Sequence, residues 1–173
     1  MNKNINTGIK FGLGIGVLYI ILLYWRWSNA AKPFTIGPIA IGSFLVIIGI
    51  LFWEATLLKK NNGGFIGMKP LFQTLFITVL IFELFYVIYN FIHFKYIDPN
   101  IISKMQAGAA NAFKNIPNVS EKDKQAAINN YSTLTQYTQP LKMLQSYISS
   151  IAVSGSVVAL IAFIMKKNTT VAN

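Results

Sequence analysis

Residues 71–94 read LFQTLFITVLIFELFYVIYNFIHF, a run of 24 with one acidic side chain, Glu83, and no lysine or arginine. A helix of about 20 predominantly apolar residues crosses the hydrocarbon core of a bilayer, so this stretch reads as a transmembrane span. Working outward, three more stretches meet the same requirement: Thr7 to Trp25, Ile36 to Leu58 and Tyr147 to Met165. Of the 173 residues, 54% are hydrophobic and 12% charged, and the mean hydropathy is +0.50. A soluble domain carries roughly 25% charged residues, so a soluble enzyme fold is excluded. The expected fold class is all-α, a single polytopic membrane domain over residues 1–173. Its four transmembrane helices lie at about 7–25, 36–58, 71–94 and 147–165, with a helical extramembrane segment, 95–146, between the third and fourth.

The ends of the spans carry anchors. Trp25, Arg26 and Trp27 form an aromatic pair around a cation, suited to the headgroup layer, and Trp53 with Lys59 and Lys60 closes the second span. Pro33 and Pro38 break the chain before and at the second helix. Asn61-Asn62-Gly63-Gly64 and Gly67 make a turn before Pro70 opens the third. Ser28-Asn29-Ala30 offers the small residues a signal peptidase reads, but the preceding Trp-Arg-Trp fits an interface anchor better than a cleavage site.

Fifteen basic residues against five acidic ones give a net charge of +10. The cations are scattered singly at the ends of apolar segments, a pattern of membrane orientation and not of nucleic-acid binding. Lys3, Lys10, Lys59, Lys60, Lys69, Lys166 and Lys167 gather on short stretches of one side, while those between Lys95 and Lys142 are diluted in a long segment. Short stretches dominate orientation, so both termini are expected in the cytoplasm of a cell whose inner membrane holds the protein.

The polar segment 95–146 reads as two helices. Asp98 can cap the first, with Pro99 at its first position. Ile101, Ile102, Met105, Ala109, Ala112, Phe113 and Ile116 return at helical spacing until Pro117-Asn118 ends it. Ser120 and Asp123 resemble a capping box for the second, and Pro140 should kink the helix that leads into the last span. The amphipathic stripes fit a partner-binding hairpin, an arm on the outer leaflet, or plain packing on the bundle.

Within the spans a few residues need a reason. Gly8, Gly12 and Gly16 recur every fourth residue and leave a smooth strip for another backbone. Ser150, Ser154, Gly155, Ser156, Ala159 and Ala162 make the fourth span small-sided too, so the first and fourth spans are expected as neighbours, or the strip joins two subunits. Glu83 lies mid-span, where an ionised carboxylate costs at least several kcal/mol unless paired or wetted. On a helical wheel Tyr86, Asn90 and His93 fall within about 80° of Glu83, giving a polar stripe. It reads either as an ion, proton or substrate path or as a hydrogen-bonded structural network. Lys10 and Glu54 match in depth on the first two spans and make a candidate ion pair, with separate snorkelling as the other reading.

No catalytic constellation emerges. There is no cysteine and one histidine, so no zinc or iron site can be assembled from them, and no metal or cofactor is expected. GLGIG, residues 12–16, lacks the spacing and context of a nucleotide-binding loop.

Several stretches together resemble a known family. They are the glycine-bearing first helix, the hairpin KKNNGGFIGMKPLFQTLF, the aromatic third helix, FKYIDPNIISKM with Asp98-Pro99, and a last helix ending in Lys166-Lys167. The family is the "domain of unknown function 4199" group of bacterial membrane proteins. The resemblance implies a four-helix inner-membrane protein with a long helical connection before the last span, and it supplies no catalytic residue. Two functions compete. One is a non-enzymatic accessory or scaffold protein, partnered by the bilayer and by a second copy or another membrane protein. The other is a small oligomeric transporter or channel that uses Glu83.

Overall fold

Lipid tails are as apolar as leucine, so helices in a bilayer are held together by close packing and hydrogen bonds and not by a hydrophobic drive toward one another. The computed structural model describes residues 3–114, 116 and 119–166. It contains α1 (Lys3–Ser28), α2 (Pro33–Asn61), α3 (Met68–Ile92, continued by a π-helical turn His93–Ile97), α4 (Ile101–Lys114), α5 (Glu121–Asn130, continued by a 3-10 segment Tyr131–Thr138) and α6 (Pro140–Met165). Among the described residues there is no strand. The helices α1, α2, α3 with its π turn, and α6 are each long and apolar enough to cross a membrane.

α3 is the centre of the bundle. α1 lies along it in the most extensive helix contact of the molecule, α6 packs on it as well, and α2 closes the group against α1, α6 and α3. The glycine strip of α1 faces α3. A Cβ at Gly8 would stand 2.6 Å from the Thr74 carbonyl oxygen, one at Gly12 2.8 Å from Ile81 Cβ, and one at Gly16 2.7 Å from the Phe85 ring. This corrects the expected pairing of the first and fourth spans, which share no substantial contact. The small side of α6 also meets α3, where Ser154 is buried and a Cβ at Gly155 would stand 3.1 Å from Phe76. Between the four helices lie Ile15, Leu51, Ala55, Leu75, Phe82 and Val158. Leu13, Val17, Ile21, Leu45, Val153 and Phe163 point outward, as lipid-facing positions do.

A second apolar cluster caps one end. Leu23, Trp27 and Ile36 meet Phe94 of the π turn, Ile101 and Met105 of α4, and Tyr137 of the 3-10 segment. Of the three readings of segment 95–146, packing on the bundle is the one α4 follows. Its Gly108 comes so near that a Cβ would overlap the Ala31 carbonyl. α5 has no buried residue. Ser120 Oγ accepts from the Asp123 backbone N–H as an N-cap and donates to the Asp123 carboxylate, so the cap is made but the return bond of a full capping box, to the Ser120 backbone N–H, is not.

Several local expectations are corrected. α4 begins at Ile101, not after an Asp98 cap: the Asp98 backbone carbonyl accepts from the Ile101 N–H in a turn, and its carboxylate pairs with Lys104 at 2.7 Å. Pro140 opens α6 at its first turn, where a missing N–H costs nothing, and does not kink a longer helix. Pro38 sits inside α2, which continues through it from Pro33. Gly63 and Gly64 take φ of +69° and +84°, the left-handed turn that lets α2 reverse into α3. Pro117, Asn118 and Lys167 lie outside the described residues.

Three substitutions test this packing. Gly12→Leu should destabilise the protein by about 1–3 kcal/mol through overpacking against Ile81, whereas Gly14→Leu, with open space around its Cβ, should not. Thermal unfolding in detergent reads both, and equal midpoints would place the strip wrongly. Gly108→Ala should lower the midpoint too, although alanine favours an isolated helix by about 1 kcal/mol. A raised midpoint would mean α4 is not seated on the α1–α2 connection.

Candidate functional site

Glu83 stands fifteen residues after Met68 and fourteen before Ile97, in the middle of the third span. It is 5% exposed, and its Oε1 accepts a hydrogen bond from Ser154 Oγ at 2.6 Å. Ser150, one turn earlier on α6, lies on the same side, in the lining of the cleft that reaches Glu83. Beside it opens a cleft of about 310 Å³ lined by Tyr19 of α1, Phe44 of α2, Glu83 and Tyr86 of α3, and Ser149, Ser150, Val153 and Ser154 of α6. Tyr19 and Tyr86 stack with ring centroids 5.3 Å apart, and Tyr19 meets Phe82 edge-on.

The remaining members of the stripe face inward with Glu83 but do not join it in one network. Tyr86 Oη is 2.8 Å from Tyr137 Oη of the 3-10 segment. Asn90 Oδ1 accepts from Trp27 Nε1 at 2.9 Å, while its Nδ2 donates to the Tyr86 carbonyl. His93 Nδ1 is 3.2 Å from Tyr89 Oη, and its Nε2 is buried with no hydrogen-bond partner. Each side chain thus bonds a different neighbour. Trp27, expected in the headgroup layer, is 3% exposed and acts as a buried donor, while Trp25 is the exposed member of that pair. The Arg26 guanidinium lies 4.5 Å from the centre of the Trp27 ring.

Lys10 and Glu54 do not pair. Glu54 is fully enclosed, and its Oε1 lies 2.8 Å from Thr78 Oγ1, which is also 3.0 Å from the Gly8 carbonyl oxygen. A hydroxyl carries one hydrogen, so these two acceptors and the Thr74 carbonyl, 3.3 Å away, compete for it. A neutral acid at Glu54 would donate to Thr78 and leave the Thr78 hydrogen for Gly8, and both bonds would form at once. Glu54 Oε2 is buried without a partner. Lys10 is exposed, at the edge of an apolar groove of about 340 Å³ between α1 and α2 that it lines with Phe11, Gly14, Ile15, Ile50 and Trp53 among others.

Sequence reasoning therefore missed the partners more than the residues. Thr78, Trp27, Tyr137 and Tyr19 were not connected to the polar groups they meet. One signal was available: Ser150 and Ser154, four apart on the last span, put two hydroxyls on one helix face at mid-depth, where a carboxyl needs donors. Among the described residues no group of three or more His, Cys, Asp or Glu could hold a metal ion.

Comparison with known proteins adds the family. Residues 8–167 match the family described as "Protein of unknown function (DUF4199)". Neither the curated proteins nor the solved structures contain a match. With nearly the whole sequence covered, from the first glycine of α1 to the end of the last span, the chain belongs to the DUF4199 family.

Proposed function

We propose that this protein is a non-enzymatic accessory or scaffold subunit of a bacterial inner membrane, with both termini cytoplasmic. The observation that carries the reading is where the intramembrane polar side chains go. Thr78 ties α3 to α1 and α2, Asn90 ties α3 to α1, Tyr86 ties α3 to the 3-10 segment, and Glu83 ties α3 to α6. Polar groups used in this way fix which helices meet and in what register. Lys59, Lys60 and Lys69 lie at the end of the bundle away from the cap, which supports a cytoplasmic assignment for that end. α5, with no buried residue, offers a polar face to a partner in water.

A second reading, an oligomeric transporter or channel using Glu83, is favoured by the cleft that reaches this carboxyl. Four helices enclose little volume, so it needs several copies. Extraction in native lipid discs followed by mass spectrometry should find the chain with a second copy or another membrane protein; a lone monomer would overturn the scaffold reading. Proton and sodium flux in vesicles should be absent for the parent and for Glu83→Gln alike. Flux by the parent that Gln abolishes would instead establish the transporter.

The orientation is checked with single cysteines, since the chain has none of its own. Cysteines at the exposed positions Lys32 and Glu121 should react with an impermeant reagent added outside the cell, and one at exposed Asn62 should be protected. The reverse pattern would invert the topology.

A further inference from the structure

We propose that the cleft at Glu83 is a binding site, reached sideways from the bilayer, for an amphiphile with an ammonium head. This goes beyond the scaffold reading and requires no transport. The cleft's volume, about 310 Å³, is at the lower end of small-molecule sites. Its mouth lies between Phe44 on α2 and Val153 on α6, which are 42% and 62% exposed on the outer surface of the bundle. Glu83 is some 22 Å of helix rise from either end of its span, so this mouth opens to hydrocarbon and not to water. A ligand must therefore arrive dissolved in the membrane.

The chemistry of the lining selects the head. One hydroxyl, from Ser154, already donates to Glu83, and Ser150 lines the same cleft; a carboxyl group has about four lone-pair sites, so it can accept further donors. Among the described residues the ion pairs are Lys104–Asp98 and Lys124–Glu121, both outside the spans, so no basic side chain neutralises Glu83. Tyr19, Tyr86 and Phe44 supply aromatic walls, and ring faces attract a desolvated ammonium ion. A carboxyl flanked by aromatic rings, with a hydrocarbon-facing mouth, matches a primary alkylamine. The head would lie on Glu83 and the chain would leave between α2 and α6. An alcohol of the same length would gain the same burial without the charge-assisted bond.

The test uses the full chain in lipid nanodiscs, with dodecylamine and dodecanol as probes and bound fractions counted by native mass spectrometry. The parent should bind the amine in preference to the alcohol. Glu83→Gln should weaken the amine by about tenfold or more and the alcohol by less than about threefold, since a charge-assisted hydrogen bond is lost in one case alone. Val153→Trp, which fills the mouth without touching a polar group, should weaken both by about tenfold. A parent that binds the two probes equally, or a Val153→Trp protein that binds the amine as the parent does, overturns the proposal. If Glu83→Gln does not fold, the parent's preference and Val153→Trp still decide.

Discussion

The distance between α1 and α3 governs the rest of the bundle. A side-chain hydroxyl on one helix reaches a backbone carbonyl on another only if the two backbones nearly touch, and in membranes small residues make that approach possible. Gly8 and Gly12 allow it: Thr78 Oγ1 stands 3.0 Å from the Gly8 carbonyl oxygen. With Thr78 held there, the same oxygen meets Glu54, and α2 is tied to the α1–α3 pair through one hydroxyl. Nearer the cap the pair is joined again, by Trp27 Nε1 to Asn90. α6 then attaches to this spine through Ser154 on Glu83 and through Tyr147 Oη on the Leu80 carbonyl, 2.9 Å away.

Length and hydropathy made the four spans legible, but not their ends. α6 starts at Pro140, one to two turns before the apolar run, because proline at a first helical position is favourable and the turns that follow need only be compatible with a helix. The smooth face of α1 could be read directly from Gly8, Gly12 and Gly16, whereas the helix it faces could not. A glycine strip reports that something comes close and carries no mark of the partner. Depth alone suggested the Lys10–Glu54 pair, and azimuth refutes it. Lys10 is two residues from Gly8 and from Gly12, about 200° round the helix, so it points away from the face that α3 and Glu54 share. That much was in the sequence. The switch of Trp27 from interface anchor to buried donor was not, since it depends on α4 and the 3-10 segment closing over the end of the bundle.

The two intramembrane glutamates show what this packing does to one residue type. At the level of Gly8 and Gly12, α1 and α3 meet backbone to backbone and Glu54 is sealed between helices with no exposed surface. At the level of Gly16 the contact is different: the Phe85 ring lies over the glycine, and Tyr19, three residues further on, stacks against Tyr86. Rings are thicker than glycine contacts and leave gaps that aliphatic neighbours do not fill. α2 presents Phe44 and Ile47 there, and the hydroxyl that bonds Glu83 comes from Ser154 of α6. One side of that carboxyl is therefore turned to a cleft and not to a helix. Glu54 is sealed where glycine sets the α1–α3 spacing, Glu83 borders a cleft where tyrosine does, and the wall of that cleft continues through Tyr86 to Tyr137 in the cap.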